Sequence, residues 1–287
     1  MRLAQIIEKN QEQAVIVTED KQIKISDINE KFSLSWSNTI FSLIENEELS
    51  DLTKWYNENK HEILMEKKLS ADKFQPLYRH PEKIWGIGLN YVAHASDLSE
   101  KAPSTEPASF MKPATTIIGP EDVIEIPQQS ERTTAEAELG LIIGKECKDV
   151  SEEEAVNYIA GYTTIIDMTA EDILEKNPRY LTRSKSFDTF FSFGPELVTT
   201  DEVEDVHQLN VATVINGSLH RKNNVANMTF TPWNLVSFHS KVMTLKPGDI
   251  ISTGTPGAIH INDGDRVECH IDGFTPLGNQ VKDLKKH

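Results

Sequence analysis

The chain has 287 residues, of which 38% are hydrophobic, and a formal net charge of −16 at pH 7. That length and apolar content are enough for one large domain, or a large and a small one, with a buried core. The acidic excess disfavours nucleic acid and anionic membrane surfaces as partners, because phosphate binding requires a basic face.

Cysteine usage and hydropathy indicate the class of protein. The two cysteines, Cys147 and Cys269, lie far apart and form no C-x-x-C motif. They predict neither a disulfide framework nor a zinc site, which suits a reducing compartment. No apolar run reaches the roughly 18 residues of a membrane span, and the N-terminus lacks the apolar run of a signal peptide. We therefore expect a soluble, cytoplasmic protein with no membrane partner.

Residues 1–80 are predicted to form a small N-terminal α/β domain. Short alternating segments at 2–7, 13–18 and 22–25 are separated by polar turns, which is typical of an antiparallel sheet. Residues 39–68 are charged and carry an apolar stripe, which predicts helix. A linker at 77–81 places the domain boundary at residue 80.

Residues 81–287 are predicted to be mainly β. The strand at 84–91 contains two glycines, but the G-x-G-x-x-G spacing of a dinucleotide loop fails at Tyr91. A short helix is predicted at 92–98, and a capping box at Ser151 predicts another that ends at Gly161. Strands are expected at 162–167, 209–215, 218–221, 249–253 and 265–271, with a helix at 232–243.

The sequence around Glu136 and Glu138 reads as a buried strand that ends at Gly144. Residues two apart in a strand point to the same face, so the two carboxylates project side by side about 7 Å apart. Carboxylates buried in this way need a cation or a shifted pKa. A solvated position near the strand end is the alternative.

Asp167 closes the strand at 162–167 and is the predicted third member of this carboxylate group. Three carboxylates without a histidine or cysteine cluster favour a hard cation such as Mg²⁺, Mn²⁺ or Ca²⁺. The alternative role for Asp167 is the N-cap of the following helix, although Thr169 also fits that position.

Five blocks of sequence resemble the fumarylacetoacetate hydrolase family, and they occur in the family's order between about residues 84 and 275. They are 86–91 with His94, 110–113, the Glu136-x-Glu138 strand with 167–170, 184–188, and 247–256. The resemblance implies an α+β, mainly β fold: a mixed β-sandwich or roll as the C-terminal domain, preceded by a small variable domain.

The resemblance also implies residue roles. Glu136, Glu138 and Asp167 match the ligands of Mg²⁺ or Mn²⁺, and Lys185 matches a lysine that polarises a carbonyl or stabilises an enolate. His94 matches a lid histidine that activates water with an acid three residues later. That acid is Asp97 here, where the family's hydrolases more often have Glu.

A second group of residues is predicted to contact the substrate. It comprises Tyr91, Arg179, Arg183, Gly254 and Thr255, and the two arginines are candidates for a substrate carboxylate. Two roles remain for Lys112 in the 110–113 block, a solvated surface charge or a residue of the site.

These predictions indicate a metal-dependent enzyme, expected to be a homodimer, that acts on a small 2-oxo acid. The first hypothesis is hydrolysis of a C–C bond in a 2-oxo or 1,3-dicarbonyl acid, as in acylpyruvases. The alternative with the same site is an oxaloacetate-type decarboxylase, or an isomerase or dehydratase of dicarboxylate or sugar-acid catabolism. A binding protein without turnover is the hypothesis from a different class.

Overall fold

A computed structural model describes residues 1–19, 21–63, 73–92 and 103–286. The N-terminal segment begins with three strands, β1 (Arg2–Glu8), β2 (Gln11–Val17) and β3 (Gln22–Lys24). Three helices follow, α1 (Ile25–Phe32), α2 (Ile40–Glu45) and α3 (Leu49–Ile63). The predicted antiparallel sheet is therefore present, and the stretch predicted as helical contains α2 and α3, while its residues 64–68 lie outside the described residues.

The rest of the described chain is mainly strand, as the sequence predicts. The strands up to the centre of the fold are β4 (Ile84–Gly88), β5 (Ala108–Lys112), β6 (Ile117–Ile118), β7 (Val123–Ile126), β8 (Thr133–Ile143), β9 (Ile159–Ala170) and β10 (Phe191–Thr199). The later strands are β11 (Asn210–Ile215), β12 (Ser218–Asn224), β13 (Ile250–Ser252), β14 (Ile259–His260), β15 (Arg266–Ile271) and β16 (Leu277–Asp283). The helices are α4 (Glu171–Lys176), α5 (Leu181–Lys185) and α6 (Pro232–Val242).

Two sheets form the framework of the fold. The larger has 11 strands in the order β3-β2-β1-β10-β9-β8-β13-β4-β5, with β14 beside β8 and β6 beside β10. The smaller has five strands in the order β12-β11-β15-β16-β7. This is the α+β, mainly β fold that the resemblance implied. Because β1 pairs with β10, the N-terminal strands extend the larger sheet, and the boundary at residue 80 stays a prediction.

β8 lies at the centre of the larger sheet, and all of its residues are buried. Ala135, Ala137 and Leu139 face the core shared with the smaller sheet. Ile142, of the opposite parity, belongs to the core beneath the N-terminal helices. Since side chains alternate along a strand, Glu136 and Glu138 face away from the smaller sheet.

Two local predictions were wrong. The capping box at Ser151 leads into a short 3-10 turn, Ala155–Tyr158, and the chain is in β9 from Ile159 onward. The strand predicted to close at Asp167 continues as β9 to Ala170. The residue that precedes α4 makes no side-chain cap, so neither Asp167 nor Thr169 caps that helix. Pairing with the long strand β8 therefore outweighs the local helix signals.

None of the helices in the described ranges is long and apolar enough to cross a lipid bilayer.

His239 on α6 predicts an acid-sensitive component of stability. It is fully buried, its Nδ1 lies 2.7 Å from the Leu235 carbonyl, and its ring packs 4.6 Å from Trp85. Burial lowers the pKa of His239, so the folded state prefers the neutral ring. The contribution of His239 to stability should therefore be constant above about pH 6.5 and should fall below it, by about 1.4 kcal/mol for each tenfold difference in proton affinity between the unfolded and folded states.

Urea unfolding of wild type and His239→Phe at pH 7.5, 6.5 and 5.5 measures this component. The free-energy difference between the two proteins should shrink or reverse as the pH falls. A substitution of the exposed His220, His220→Phe, should leave the pH dependence unchanged. Parallel curves for wild type and His239→Phe would contradict the assignment.

Candidate metal centre

The pairing of β8 with β9 brings three carboxylates together. Glu136 lies directly opposite Asp167, and Glu138 is two residues further along β8 on the same face. One oxygen atom from each carboxylate lies within 4.8 Å of the others, and all three residues are buried. The solvated alternative for the glutamates and the N-cap alternative for Asp167 are therefore both wrong. A buried group of three carboxylates is suited to a divalent cation with oxygen ligands.

Two lysines approach the carboxylates from outside the central strands. Lys185, at the end of α5, places Nζ 2.9 Å from Glu136 Oε2 and 2.7 Å from Asp167 Oδ2. Lys112, at the end of β5, places Nζ 2.5 Å from Asp167 Oδ1 and donates a second hydrogen bond to the carbonyl of Lys185. The ring of Phe110 lies 4.9 Å from Lys185 Nζ. The site is thus a compact, charge-compensated cluster.

Burial and charge pairing shift the pKa values of Glu138 and Asp167 in opposite directions. Burial raises the pKa of Glu138 to about 8, and the neighbouring carboxylates of Asp167 and Glu136 act in the same direction. Burial also works against ionised Asp167, but Lys112 and Lys185 outweigh it and hold the pKa of Asp167 below its ordinary value.

The pKa values of the two lysines are shifted in opposite directions. Burial opposes the charge of Lys185, but the carboxylates of Asp167, Glu136 and Glu138 raise its pKa overall. Burial lowers the pKa of Lys112, and the adjacent charge of Lys185 adds to that effect. Lys185 is therefore the fixed positive charge of the cluster.

Hydrogen bonds orient the two glutamates. Glu138 Oε2 accepts from Ser252 Oγ at 2.5 Å and from the Gly254 N–H at 2.8 Å. Thr169 Oγ1 donates to Glu136 Oε1 at 2.6 Å, so it supports a carboxylate rather than capping a helix. Each glutamate is thereby held with one oxygen occupied by a neutral donor, which fixes the direction of the carboxylate.

The other predicted site residues fall into three groups. Tyr91 is fully buried, and burial together with Glu138 raises its pKa. Thr255 is buried and exchanges hydrogen bonds with the backbone of Gly257. Arg179 and Arg183 are exposed on the segment that leads to Lys185. Roles for these residues in substrate binding stay predictions.

The predicted lid residues, His94 and Asp97, lie outside the described residues.

Sequence reasoning undervalued Lys112 and missed Ser252 as part of the cluster. Lys112 precedes Pro113 at a strand end, where a lysine is usually solvated. The available signal was its place in an apolar block with Phe110, which gives a lysine little access to water. Ser252 follows two buried isoleucines on β13, and only the pairing of β13 with β8 brings it to Glu138.

Gly254 is predicted to be intolerant of any side chain. Its φ is +96°, and a Cβ atom would lie 2.8 Å from Asn90 Cβ and 3.0 Å from the Ile87 carbonyl oxygen. Gly254→Ala should therefore lose about 1–3 kcal/mol of stability through strain, and more through the clash. It should also reduce metal affinity, because the N–H that holds Glu138 moves.

Gly273→Ala is the matched control, since Gly273 has φ +78° with no atom within 4 Å of the added Cβ. Urea unfolding and Mn²⁺ calorimetry of both variants separate backbone strain from the clash. Equal losses of stability, with equal Mn²⁺ affinity, would refute the role given to Gly254.

Comparison with known proteins identifies the family. Residues 83–282 match the Fumarylacetoacetate (FAA) hydrolase C-terminal family. The chain belongs to this family. The match includes strands of both sheets, though not β1–β3, and all residues of the carboxylate–lysine cluster, so the fumarylacetoacetate hydrolase resemblance seen in the sequence is confirmed.

Family relatives with different activities resemble this chain. The oxaloacetate tautomerase fahd2, mitochondrial, of Xenopus laevis is 39% identical over 211 residues, which are 70% of this chain and 66% of that protein. Maleylpyruvate hydrolase from Sphingobium sp. SYK-6, solved with manganese(II) and pyruvate, is 27% identical with a TM-score of 0.80 and 99% of each chain covered. The 5-carboxymethyl-2-hydroxymuconate delta-isomerase from Mycobacterium smegmatis is 29% identical with a TM-score of 0.75 and 99% of each chain covered.

Proposed function

We propose that this member of the fumarylacetoacetate hydrolase family is a divalent-metal-dependent enzyme that forms or consumes the enolate of a small 2-oxo acid. The observation that carries the proposal is the buried group of three carboxylates with two lysine ammonium groups among them. With all five groups ionised the cluster has one net negative charge, and a divalent ion makes it positive. A positive buried site is suited to an anionic substrate.

Each group of site residues has its own proposed role. Glu136, Glu138 and Asp167 would hold Mg²⁺ or Mn²⁺, with Ca²⁺ a further option that the same oxygen ligands accept. When bound, the ion supplies Lewis-acid polarisation of the 2-oxo group. Lys185 adds fixed positive charge on the side where negative charge develops on that oxygen, and Lys112 lies beside it, bonded to the Lys185 carbonyl. Tyr91, Gly254 and Thr255 would shape the pocket, and Arg179 or Arg183 would meet a carboxylate at its exposed edge.

The first proposed reaction is hydrolysis of a C–C bond in an acylpyruvate-type substrate. His94, oriented by Asp97, would remove a proton from water as the water attacks the distal carbonyl. The C–C bond then breaks, and its electron pair remains with the 2-oxo acid fragment as an enolate. Protonation of the enolate carbon completes the reaction. The maleylpyruvate hydrolase relative supports this candidate.

The second candidate uses the same enolate without attack by water. It is tautomerisation or decarboxylation of oxaloacetate, or another isomerisation or dehydration of a small dicarboxylate or sugar acid. The higher identity to the tautomerase from Xenopus laevis favours this candidate. Only the fate of the enolate differs between the two.

Ultraviolet absorbance of an acylpyruvate and of oxaloacetate, with Mg²⁺ or Mn²⁺ and with chelator, tests the proposal. We expect metal-dependent loss of the enol band of one or both substrates. His94→Ala should abolish hydrolysis but spare tautomerisation or decarboxylation. Metal binding without change of either substrate, or of a sugar acid, would instead support a binding protein without turnover.

We also propose a cytoplasmic homodimer, on the basis of the family resemblance and the absence of long apolar runs in the sequence. Light scattering after size-exclusion chromatography should give about twice the monomer mass of 32.3 kDa. A monomeric mass would overturn the assembly proposal without affecting the proposed chemistry.

A further inference from the structure

β14 places a histidine beside the carboxylates, on the edge of β8 opposite to β9. In this two-residue strand, Ile259 lies opposite Ala135 and His260 lies opposite Thr134. Residues directly opposite one another in a sheet point to the same face. Thr134 has the same parity as Glu136 along β8, so His260 projects from the face that carries the carboxylates.

The packing of the neighbouring residue supports that orientation. Ile259 packs against the core between the two sheets, as Ala135 does. Because successive side chains in a strand alternate, His260 is on the opposite side, and it is exposed. Glu136 is the diagonal neighbour of His260 across the strand pair. Diagonal neighbours are about 7–8 Å apart, a distance that long and aromatic side chains span.

Thr134 is the residue directly opposite His260 on β8. Thr134, between His260 and Thr169, is small, and its hydroxyl is directed to the Thr169 carbonyl at 3.5 Å. Lys185 and Lys112 contact Glu136 and Asp167 from α5 and β5, elements that do not pair with β14. The imidazole is therefore carried by a different element from the two lysines, at the face that holds the carboxylates.

The geometry points to His260 as a catalytic proton-transfer residue for the carbon next to the 2-oxo group of the bound substrate. This inference rests on the proposed function and deepens it. The neutral imidazole takes a proton from that carbon, so a C–H bond breaks, an N–H bond forms, and the C–H electron pair moves toward the 2-oxo oxygen. In the reverse direction the imidazolium returns the proton to the enolate.

This role is separate from the predicted role of His94. Activation of water is needed only for hydrolysis, whereas proton transfer at carbon is needed in both candidate reactions. A positioned acid–base group contributes about 10²–10⁴-fold to such a step. Loss of His260 should therefore slow either reaction, while loss of His94 should slow hydrolysis alone.

Proton exchange of pyruvate isolates the step. In D₂O with Mg²⁺, wild type should catalyse replacement of the methyl protons of pyruvate, followed by proton NMR. His260→Gln should reduce that rate at saturating pyruvate by about 100-fold or more, with Mg²⁺ affinity by calorimetry unchanged. Added imidazole should restore exchange to His260→Ala, a result that a structural role would not give.

His220→Gln is the matched control, because His220 is also exposed on a strand but lies on β12 of the smaller sheet. It should exchange pyruvate protons at the wild-type rate. Exchange by His260→Gln at the wild-type rate, or no rescue by imidazole, would overturn the role of His260 and leave the proposed function standing. No exchange by wild type, together with no turnover of any 2-oxo acid, would overturn both.

Discussion

Asp167→Asn is expected to abolish metal-dependent activity. Asp167 is the carboxylate shared by both lysines, with Lys185 Nζ at 2.7 Å from Oδ2 and Lys112 Nζ at 2.5 Å from Oδ1. Asn keeps the shape of the side chain but removes the charge. Mn²⁺ affinity should fall by at least about 100-fold, because loss of a residue that only hydrogen-bonds to a metal ligand already costs about 10–100-fold. Calorimetry with Mn²⁺ and turnover of an acylpyruvate and of oxaloacetate measure both effects.

The same variant should be less stable in the absence of metal. Lys112 and Lys185 are buried, and removal of one partner from a buried ion pair costs about 3–5 kcal/mol because the remaining charge is uncompensated. Urea unfolding in chelator measures this cost. Asp172→Asn is the control, since Asp172 bonds Ser130 outside the cluster and should keep Mn²⁺ affinity. Wild-type Mn²⁺ affinity in Asp167→Asn would exclude Asp167 as a ligand.

Lys185→Met is expected to separate catalysis from metal binding. The ammonium group bridges Glu136 and Asp167, so it competes with a cation for the same oxygens. Its removal should leave Mn²⁺ affinity unchanged or higher. Turnover should nevertheless fall by about 10²–10³-fold, the cost of losing one stabiliser of a developing oxyanion. Turnover and Mn²⁺ calorimetry on one preparation give both values.

The stability of Lys185→Met should depend on metal more strongly than that of wild type. Without Lys185, Lys112 still pairs with Asp167, and the remaining repulsion among the three carboxylates is relieved by protonation or by a bound cation. Added Mn²⁺ should therefore restore most of the stability lost in chelator. Lys176→Met, at a 65% exposed position on α4, should change neither property. Parallel loss of Mn²⁺ affinity and turnover in Lys185→Met would show that the lysine acts through the metal ligands alone.

Much of the fold was predictable because local patterns and tertiary pairing agree. The apolar alternation of β8 and the glycine that ends it predicted a buried strand, and the spacing of Glu136 and Glu138 placed both carboxylates on one face. The N-terminal strands and α6 were also predictable from periodicity. The helix predicted at Ser151 was wrong because its signals are local, whereas pairing with β8 and β10, both outside that segment, decides the conformation of β9.

The carboxylate group illustrates what the sequence by itself determined. Two glutamates at a spacing of two residues, and an acid at the end of another apolar run, were sufficient to indicate a hard-cation site. The family resemblance added Lys185 and the lid histidine. None of these depends on knowing which strands are neighbours, because each is a property of one short segment.

Only the tertiary structure decided which side chains surround those carboxylates. The burial of Lys112 against Asp167, the donation from Ser252 to Glu138 and the position of His260 diagonal to Glu136 all depend on strand register. The two members of each pair are 55 to 124 residues apart in sequence. Register is set by the packing of the whole sheet, so no single segment contains the information that brings these residues together.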